Sequence, residues 1–154
     1  MILYQMDCDS VTVDHLLTLY IYSRFLANQY GLAGRTNLEK AQADETVDAI
    51  NDIFSAAIPV FTCKDPEEKK ILMAKFIETV AAGFEKLEKR LESRGGQFFA
   101  GNSLTWADLH LFAFLDTLNS MVPNAVDKFP KMKDLNCRVG ELPNIKNWMS
   151  TRPK

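Results

Sequence analysis

The sequence predicts an all-α protein, a helical bundle with a short irregular N-terminal segment. Apolar residues recur at three- and four-residue intervals along most of the chain, which is the period of an amphipathic helix. Residues that start helices precede these runs, and glycine or proline follows them. Hydrophobic residues make up 47% and charged residues 25% of the 154 positions. This balance is typical of a globular protein with one core.

The first helix is predicted over residues 15–30. Before it, residues 10–13 are rich in β-branched side chains, which favours a short strand. From His15 onward, leucine, tyrosine and phenylalanine side chains recur at helical spacing. Gly31 ends the helix because glycine tolerates a positive φ, and residues 31–34 form a connector.

The second helix is predicted to open at Thr36, where Glu39 follows three residues later. This spacing is a capping box, in which each side chain bonds the other residue's backbone N–H. The apolar face is then predicted to continue through Val47, Ile50, Phe54 and Ile58. Pro59 bends or ends the helix, since proline lacks the N–H that the helix needs.

The third helix is predicted to begin at Asp65 and Pro66, an acidic cap followed by proline at the first helical position. Gly95 and Gly96 close it. Two shorter helices are predicted near residues 131–142 and 144–151, each after a proline.

The strongest helix start in the chain lies at Thr105. Asp108, three residues later, completes a second capping box, and Leu104 and Leu109 on either side fit a hydrophobic staple. The helix that follows is predicted over residues 106–118. Loss of the cap is expected to cost about 1 kcal/mol of stability.

Charge and composition exclude several classes of protein. The net charge is −2 and the isoelectric point is about 5.7, and no dense run of basic residues is present, so nucleic acid is not an expected partner. No stretch approaches the roughly 20 apolar residues of a membrane span. The N-terminus carries acids and lacks the basic region of a secretory signal. A cytoplasmic location is therefore predicted.

The cysteines and histidines do not form a metal site by their spacing. Cys8, Cys63 and Cys137 are far apart and odd in number, which favours reduced thiols over a disulfide framework. Neither His15 nor His110 has a partner at metal-ligand spacing. His110 lies in an apolar helical stretch, so a satisfied core or interface histidine is expected.

Residues 99–108, Phe-Ala-Gly-Asn-Ser-Leu-Thr-Trp-Ala-Asp, resemble the capping-box and staple motif in the C-terminal domain of cytosolic glutathione transferases. The Phe-Pro-Lys at 129–131 and the Pro-Asn-Ile at 143–145 fit the helices that follow in that family. Residues 24–27, 31–34 and 47–52 resemble the sigma class in particular, which includes prostaglandin D synthases and the lens S-crystallins. The resemblance covers roughly residues 23–153.

The resemblance also implies that most of the family's thioredoxin-like N-terminal half has no match in the chain. Residues 1–34 are too few for a thioredoxin-like half, and they are interpreted as a remnant that includes one helix of it, with residues 35–154 as the C-terminal-like helical domain. That half carries most glutathione contacts and the tyrosine that stabilises the thiolate. Tyr4 has no family-like surroundings, so no catalytic residue is assigned. Whether the chain is an enzyme as it stands is left open.

One candidate glutathione contact does transfer from the resemblance. Asp52 aligns with the carboxylate that, in sigma enzymes, reaches across the dimer toward the partner's glutathione. An ordinary solvated acid on a helix face fits Asp52 equally well. A divalent cation held by Asp48 and Asp52 is a further interpretation, but Asn51 replaces an acid that such sites use, and hard cations need several oxygen ligands. No metal is therefore assigned.

A candidate pocket for the hydrophobic acceptor follows from the same alignment. Phe54 and Ile58, one helical turn apart, lie in the stretch that lines this pocket in the family, and Phe61 belongs to the same argument. Plain core packing is the competing interpretation, and it is the more frequent role of an apolar stripe.

Three functions remain open from the sequence. The first is a glutathione transferase, with glutathione as a substrate rather than a cofactor, conjugating it to hydrophobic electrophiles and catalytically incomplete as this chain. The second is a non-catalytic module that binds hydrophobic small molecules. The third is a structural protein of the S-crystallin kind. A homodimer, or pairing with a full-length transferase subunit, is expected for the first.

Overall fold

The computed structural model of the chain describes the backbone of residues 13–153 and the side chains of residues 18–153. Within these residues the fold is all-α, as the sequence predicts, and contains no strand. The helices are α1 (Val13–Gln29), α2 (Asn37–Ser55), α3 (Ile58–Thr62), α4 (Pro66–Ser93), α5 (Trp106–Leu118), α6 (Pro130–Gly140) and α7 (Pro143–Thr151). The strand predicted at residues 10–13 lies outside the described part except for Val13, where α1 begins.

The start of α2 forms as its sequence predicts, but its end does not. The Thr36 hydroxyl accepts a hydrogen bond from the Glu39 N–H at 3.1 Å, completing the capping box. The helix ends at Ser55, and Pro59 stands in the first turn of the separate helix α3. The proline ring would collide with the carbonyl of Ser55, four residues earlier, in a continuous helix. Ile58 therefore belongs to α3, and the prediction that it continues the face of α2 is wrong.

Helix α4 has the predicted start and stop. The Asp65 carboxylate accepts hydrogen bonds from the N–H groups of Glu67 and Glu68 at 2.8 and 3.1 Å. At the other end Gly96 has a φ of 77°, in the left-handed region, and its N–H donates to the Leu91 carbonyl at 2.8 Å. This glycine cap satisfies a carbonyl that the last helical turn leaves free.

Helix α5 lies at the centre of the bundle and packs against α1, α2 and α6. Aromatic rings fill the space around it: Phe84 of α4 meets Phe114 edge to face at 6.3 Å between ring centres, and meets Phe129 at 5.5 Å. Such aromatic pairs add to the burial of apolar area. The largest fully buried side chains are Phe76, Phe84, Phe99, Ile50, Leu87, Leu91, Leu111, Leu118, Met132 and Leu135.

The connector between α1 and α2 fixes how these two helices meet α5. The Trp106 N–H, at the start of α5, donates a hydrogen bond to the Leu32 carbonyl at 2.8 Å. Gly34 has a φ of 105°, and a Cβ there would lie 2.9 Å from the backbone of Glu39 and Lys40. Only glycine fits this close approach. In the described part of the chain, no helix has the length and apolar character to cross a membrane.

Candidate ligand-binding site

A cavity of about 370 Å³ lies between α1, α2 and α5. Its size is within the range of small-molecule sites, which are concave and mostly apolar with a few polar groups. Its wall consists of Leu19, Tyr20, Ser23, Leu26, Ala27, Tyr30, Leu32, Asn51, Phe54, Trp106, Leu109, His110, Ala113, Phe114 and Thr117.

Aromatic pairs form two sides of this cavity. Tyr20 of α1 meets Trp106 of α5 edge to face with ring centres 5.4 Å apart. On the α2 side Phe54 meets Phe114 at 6.2 Å in a similar arrangement. Because the rings of each pair pack against one another, the wall presents flat apolar surfaces suited to an aromatic molecule.

A hydrogen-bonded pair supplies the polar part of the wall. His110 Nε2 and Asn51 Oδ1 lie 3.0 Å apart, which joins α5 to α2. Burial lowers the pKa of His110 to about 4, so the imidazole is neutral at physiological pH. Next to it, the Trp106 indole nitrogen is buried and has no hydrogen-bond partner among the described residues. A ligand in this cavity therefore meets neutral polar groups.

Carboxylates of α2 stand beside the α1 wall. The Asp48 carboxylate lies close to the Tyr20 side chain, and the pKa of Tyr20 is raised by burial first and then by the negative charges of Asp48 and Asp44. Arg24, whose guanidinium pairs with Asp44 at 2.8 Å, lowers the pKa of Tyr20 by less than these carboxylates raise it. The local environment of Tyr20 thus disfavours an anion.

The start of α5 sets the position of Trp106 and His110. Asp108 is fully buried, and its carboxylate accepts hydrogen bonds from the Phe99 N–H at 2.9 Å, the Thr105 N–H at 2.7 Å and the Thr105 hydroxyl at 2.8 Å. Burial raises the pKa of Asp108, and these hydrogen bonds oppose the rise. This capping geometry fixes the direction in which the chain enters α5.

The two leucines of the predicted staple take different places around this cap. Leu104 and Leu109 are both half-buried and pack against the core. Leu109 also lines the cavity, whereas Leu104 does not. One of the two residues expected to have a structural role, Leu109, thus also lines the cavity.

The structure brings together only part of the predicted acceptor pocket. Phe54 lies in the cavity wall. Ile58 and Phe61 lie in α3 and are not part of this wall, and Phe61 is 40% exposed. Asp52, the candidate glutathione contact, is exposed on α2. In the described part of the chain no group of three or more His, Cys, Asp or Glu side chains is placed to hold a metal ion.

Sequence reasoning did not assign Tyr20, Asn51, Trp106 and His110 to a ligand site. His110 was expected to be a satisfied core or interface histidine, and its hydrogen bond to Asn51 agrees with a satisfied one. The spacing of Trp106 and His110, one helical turn apart, was a usable signal, since residues four apart share a helix face. Nothing local pointed to Asn51, because its partner lies 59 positions away.

The described residues thus form a helical bundle with a capped central helix and an apolar cavity beside it. Residues 51–152 match the family model described as the glutathione S-transferase C-terminal domain. The chain belongs to the glutathione S-transferase family.

Its curated relatives agree with that assignment. Glutathione S-transferase 1 of Ascaris suum is 33% identical over 135 residues, which are 85% of this chain and 66% of the relative. Hematopoietic prostaglandin D synthase of Gallus gallus is 33% identical over 97% of this chain and 72% of its own length. The chain spans about two thirds of the length of the curated relatives it matches.

Solved structures give the same result at the level of the fold. Prostaglandin synthase D of Nilaparvata lugens superposes with a TM-score of 0.82 at 31% identity, covering 88% of this chain and 68% of that one. The glutathione S-transferase of Ascaris lumbricoides superposes with a TM-score of 0.77, also at 31% identity and with the same coverage.

Proposed function

We propose that this protein is a glutathione S-transferase relative whose helical domain holds the hydrophobic acceptor molecule in the cavity between α1, α2 and α5. The observation that carries the proposal is the apolar, aromatic wall of that cavity in a domain of this family. Phe54 is the predicted acceptor contact that lies in this wall. Ile58 and Phe61, which lie on α3 outside this wall, remain candidates for contacts with a part of the acceptor that extends out of the cavity.

The class within the family is proposed to be sigma. The residue patterns at 24–27, 31–34 and 47–52 support it, and so does the similarity to prostaglandin D synthases of Gallus gallus and Nilaparvata lugens. On this proposal α1 corresponds to the last helix of a thioredoxin-like half. Residues 35–154 form the C-terminal-like domain. About a third of the length of the relatives then has no counterpart in the aligned chain.

Conjugation is proposed to be incomplete in this chain alone. The glutathione thiol attacks as a thiolate, so a transferase gains by stabilising that anion. Tyr20 is a half-buried tyrosine of the cavity wall, and its pKa is raised by burial first and then by the negative charges of Asp48 and Asp44, so its surroundings disfavour an anion. The thiolate contact is therefore expected from outside the described residues.

A second subunit is proposed to complete the site. The exposed Asp52 carboxylate is suited to reach the amino group of glutathione bound by a partner. The outer face of α1 supports an association of this kind, since Ile21, Tyr22 and Phe25 are each more than half exposed. The partner is proposed to be a second copy or a full-length transferase subunit. A cytoplasmic location is part of the proposal, consistent with the free thiols of Cys63 and Cys137.

The first test is an isothermal titration of glutathione into the chain, together with a conjugation assay on chlorodinitrobenzene. The proposal expects no turnover by the chain alone, and turnover above the rate of the added subunit by itself once a sigma-class subunit with an intact thioredoxin-like half is added. Turnover by the chain alone would contradict the proposed incompleteness.

The cavity itself is tested with an uncharged aromatic probe, naphthamide, and a pair of matched variants. Ala113 lines the cavity from α5, so Ala113→Phe is expected to fill it and to abolish naphthamide binding. The control is Ala82→Phe, the same change at an exposed position of α4 outside the wall. Equal binding by both variants would place the ligand elsewhere.

The competing function is a non-catalytic module that binds hydrophobic ligands or serves a structural role. The exposed apolar side chains of α1 are the observation in its favour, since they suit a docking surface as well as a subunit contact. Naphthamide binding without any turnover, even with the added transferase subunit, would support this function over the first.

A further inference from the structure

We infer that the cavity between α1, α2 and α5 selects uncharged aromatic ligands and discriminates against ligands that carry a carboxylate. The inference rests on the proposed function, because it specifies the ligand class of the same cavity. It is carried by the charges around the wall.

No residue of the cavity wall carries a charge at neutral pH. The polar members of the wall are hydroxyl, amide, imidazole and indole N–H groups, all of them uncharged, and the rest are aliphatic or aromatic. The one titratable cation among them, His110, is neutral because burial holds its pKa at about 4. A carboxylate that entered would lose hydration without gaining a cationic partner, which is costly in a largely apolar site.

The sequences of α2 and α5 hold seven carboxylates, of which Asp44, Glu45 and Asp116 are ion-paired with Arg24, Arg90, Arg94 and Arg152. The basic side chains of the helices that form the cavity are Arg24 and Lys40. Arg24 is the nearer candidate, and its Nε and terminal nitrogen lie 2.9 and 2.8 Å from Asp44 Oδ2. Its charge is thus already compensated.

Asp48 brings negative charge close to the α1 wall, since its charge raises the pKa of Tyr20. At Tyr20 the effects of Asp48 and Asp44 exceed that of Arg24, so the net field there is negative. Like charges repel one another at short range, and solvent and salt weaken this repulsion at an exposed carboxylate such as Asp48. An anionic ligand beside Tyr20 would meet this repulsion.

The partial charges at the helix termini do not compensate for this repulsion of an anionic ligand. The positive end of the α5 dipole lies at Trp106, but the buried Asp108 carboxylate already accepts hydrogen bonds there, from Phe99 and Thr105. The C-terminal end of α1 lies at Gln29, next to Tyr30 in the wall, and contributes partial negative charge. Both termini therefore leave the preference for a neutral ligand in place.

The test is a titration at neutral pH and low salt with two probes of nearly the same shape, naphthamide and naphthoate. Naphthamide is expected to bind with a Kd at least about tenfold lower, which corresponds to about 1.4 kcal/mol. Raising the salt concentration is expected to narrow the gap, since salt screens exposed charges such as Asp48.

A variant locates the source of the discrimination. Asp48→Asn keeps the size of the side chain and removes the charge, so naphthoate is expected to bind about threefold tighter while naphthamide is unchanged. Glu78→Gln removes a carboxylate from an exposed position of α4, outside the wall, and is expected to change neither Kd. Both positions are exposed, so the variants are expected to fold.

The outcomes separate the two proposals. Naphthoate binding as tightly as naphthamide would overturn the charge selection and leave the proposed ligand cavity standing. An unchanged ratio in Asp48→Asn would overturn the role of the α2 carboxylate. Failure of both probes to bind would refute the proposed function, and the inference would fall with it.

Discussion

Replacing Asp108 by alanine is the sharpest perturbation of the fold that positions the cavity. The carboxylate is fully buried and accepts three hydrogen bonds, two from backbone N–H groups and one from the Thr105 hydroxyl. Alanine removes every acceptor and leaves the N–H groups of Phe99 and Thr105 without a partner. Water cannot easily replace the carboxylate, because Phe99 and Thr105 are themselves buried.

The expected magnitude follows from these contacts. Each buried donor left unsatisfied costs about 1–3 kcal/mol, and two such donors together with the hydroxyl give about 3–5 kcal/mol. The variant no longer buries a charged carboxylate, and this gain reduces the loss in the free energy of unfolding to near the middle of that range. A domain of this size has a total stability of about 5–15 kcal/mol, so the variant is expected to be marginally stable.

The chain contains its own control in the capping box of α2. Glu39 holds the same third position and accepts hydrogen bonds from the Arg35 and Thr36 N–H groups at 2.6 and 3.4 Å. Both donors belong to exposed residues, so water can satisfy them when the carboxylate is removed. Glu39→Ala is therefore expected to cost only about 1 kcal/mol.

The assay is urea unfolding followed by far-ultraviolet circular dichroism, with Asp108→Ala and Glu39→Ala measured beside the parent chain. The free energy of unfolding should fall several times further for Asp108→Ala. Equal losses in the two variants would refute the reasoning, because burial of the donors would then have no effect on the cost of the cap.

Three further predictions follow from other contacts. His110 has a pKa of about 4 in the fold and about 6.5 in the unfolded chain, so the unfolded chain binds more protons as the pH falls from 6.5 to 4. In that window the free energy of unfolding of the parent is expected to fall by up to about 3 kcal/mol relative to His110→Gln. Urea midpoints of the two chains that run parallel from pH 7 to 4 would contradict this prediction. Gly83→Ala is expected to destabilise by about 1–3 kcal/mol despite the better helix propensity, because a Cβ would lie 2.6 Å from Ile53 Cγ1; a higher melting temperature would count against this packing. Arg94→Lys is expected to cost about 1–3 kcal/mol, since lysine lacks the second nitrogen that lets Arg94 reach the Phe99 carbonyl at 2.7 Å and Glu45 at 2.5 Å together; an unchanged unfolding midpoint would be inconsistent with that role.

The helices were predictable because their signals are local. The capping boxes at Thr36 and Thr105, and Pro66 after Asp65, act within one helical turn, so their patterns in the sequence match the observed helix starts. The break at Ser55 was not placed correctly, because the clash that Pro59 causes falls four residues earlier than the proline itself.

The cavity was less predictable because its wall depends on tertiary packing. Phe54 was assigned to an acceptor pocket from a resemblance, and it lies in the wall. Ile58 and Phe61 were assigned with it from the same resemblance, but both belong to the separate helix α3 and lie outside that wall. The contact of Asn51 with His110 joins two helices, and no single-helix pattern contains it.

The most direct test of the ligand cavity is a nuclear magnetic resonance titration of the isotopically labelled chain with naphthamide. The amide signals of Ala113 and Thr117, which lie on the open side of the α5 wall, should shift most, and the His110 ring signals should shift with them. Shifts that cluster instead around α6 and α7, or no saturable shift at all, would contradict the assignment of this cavity as the ligand site.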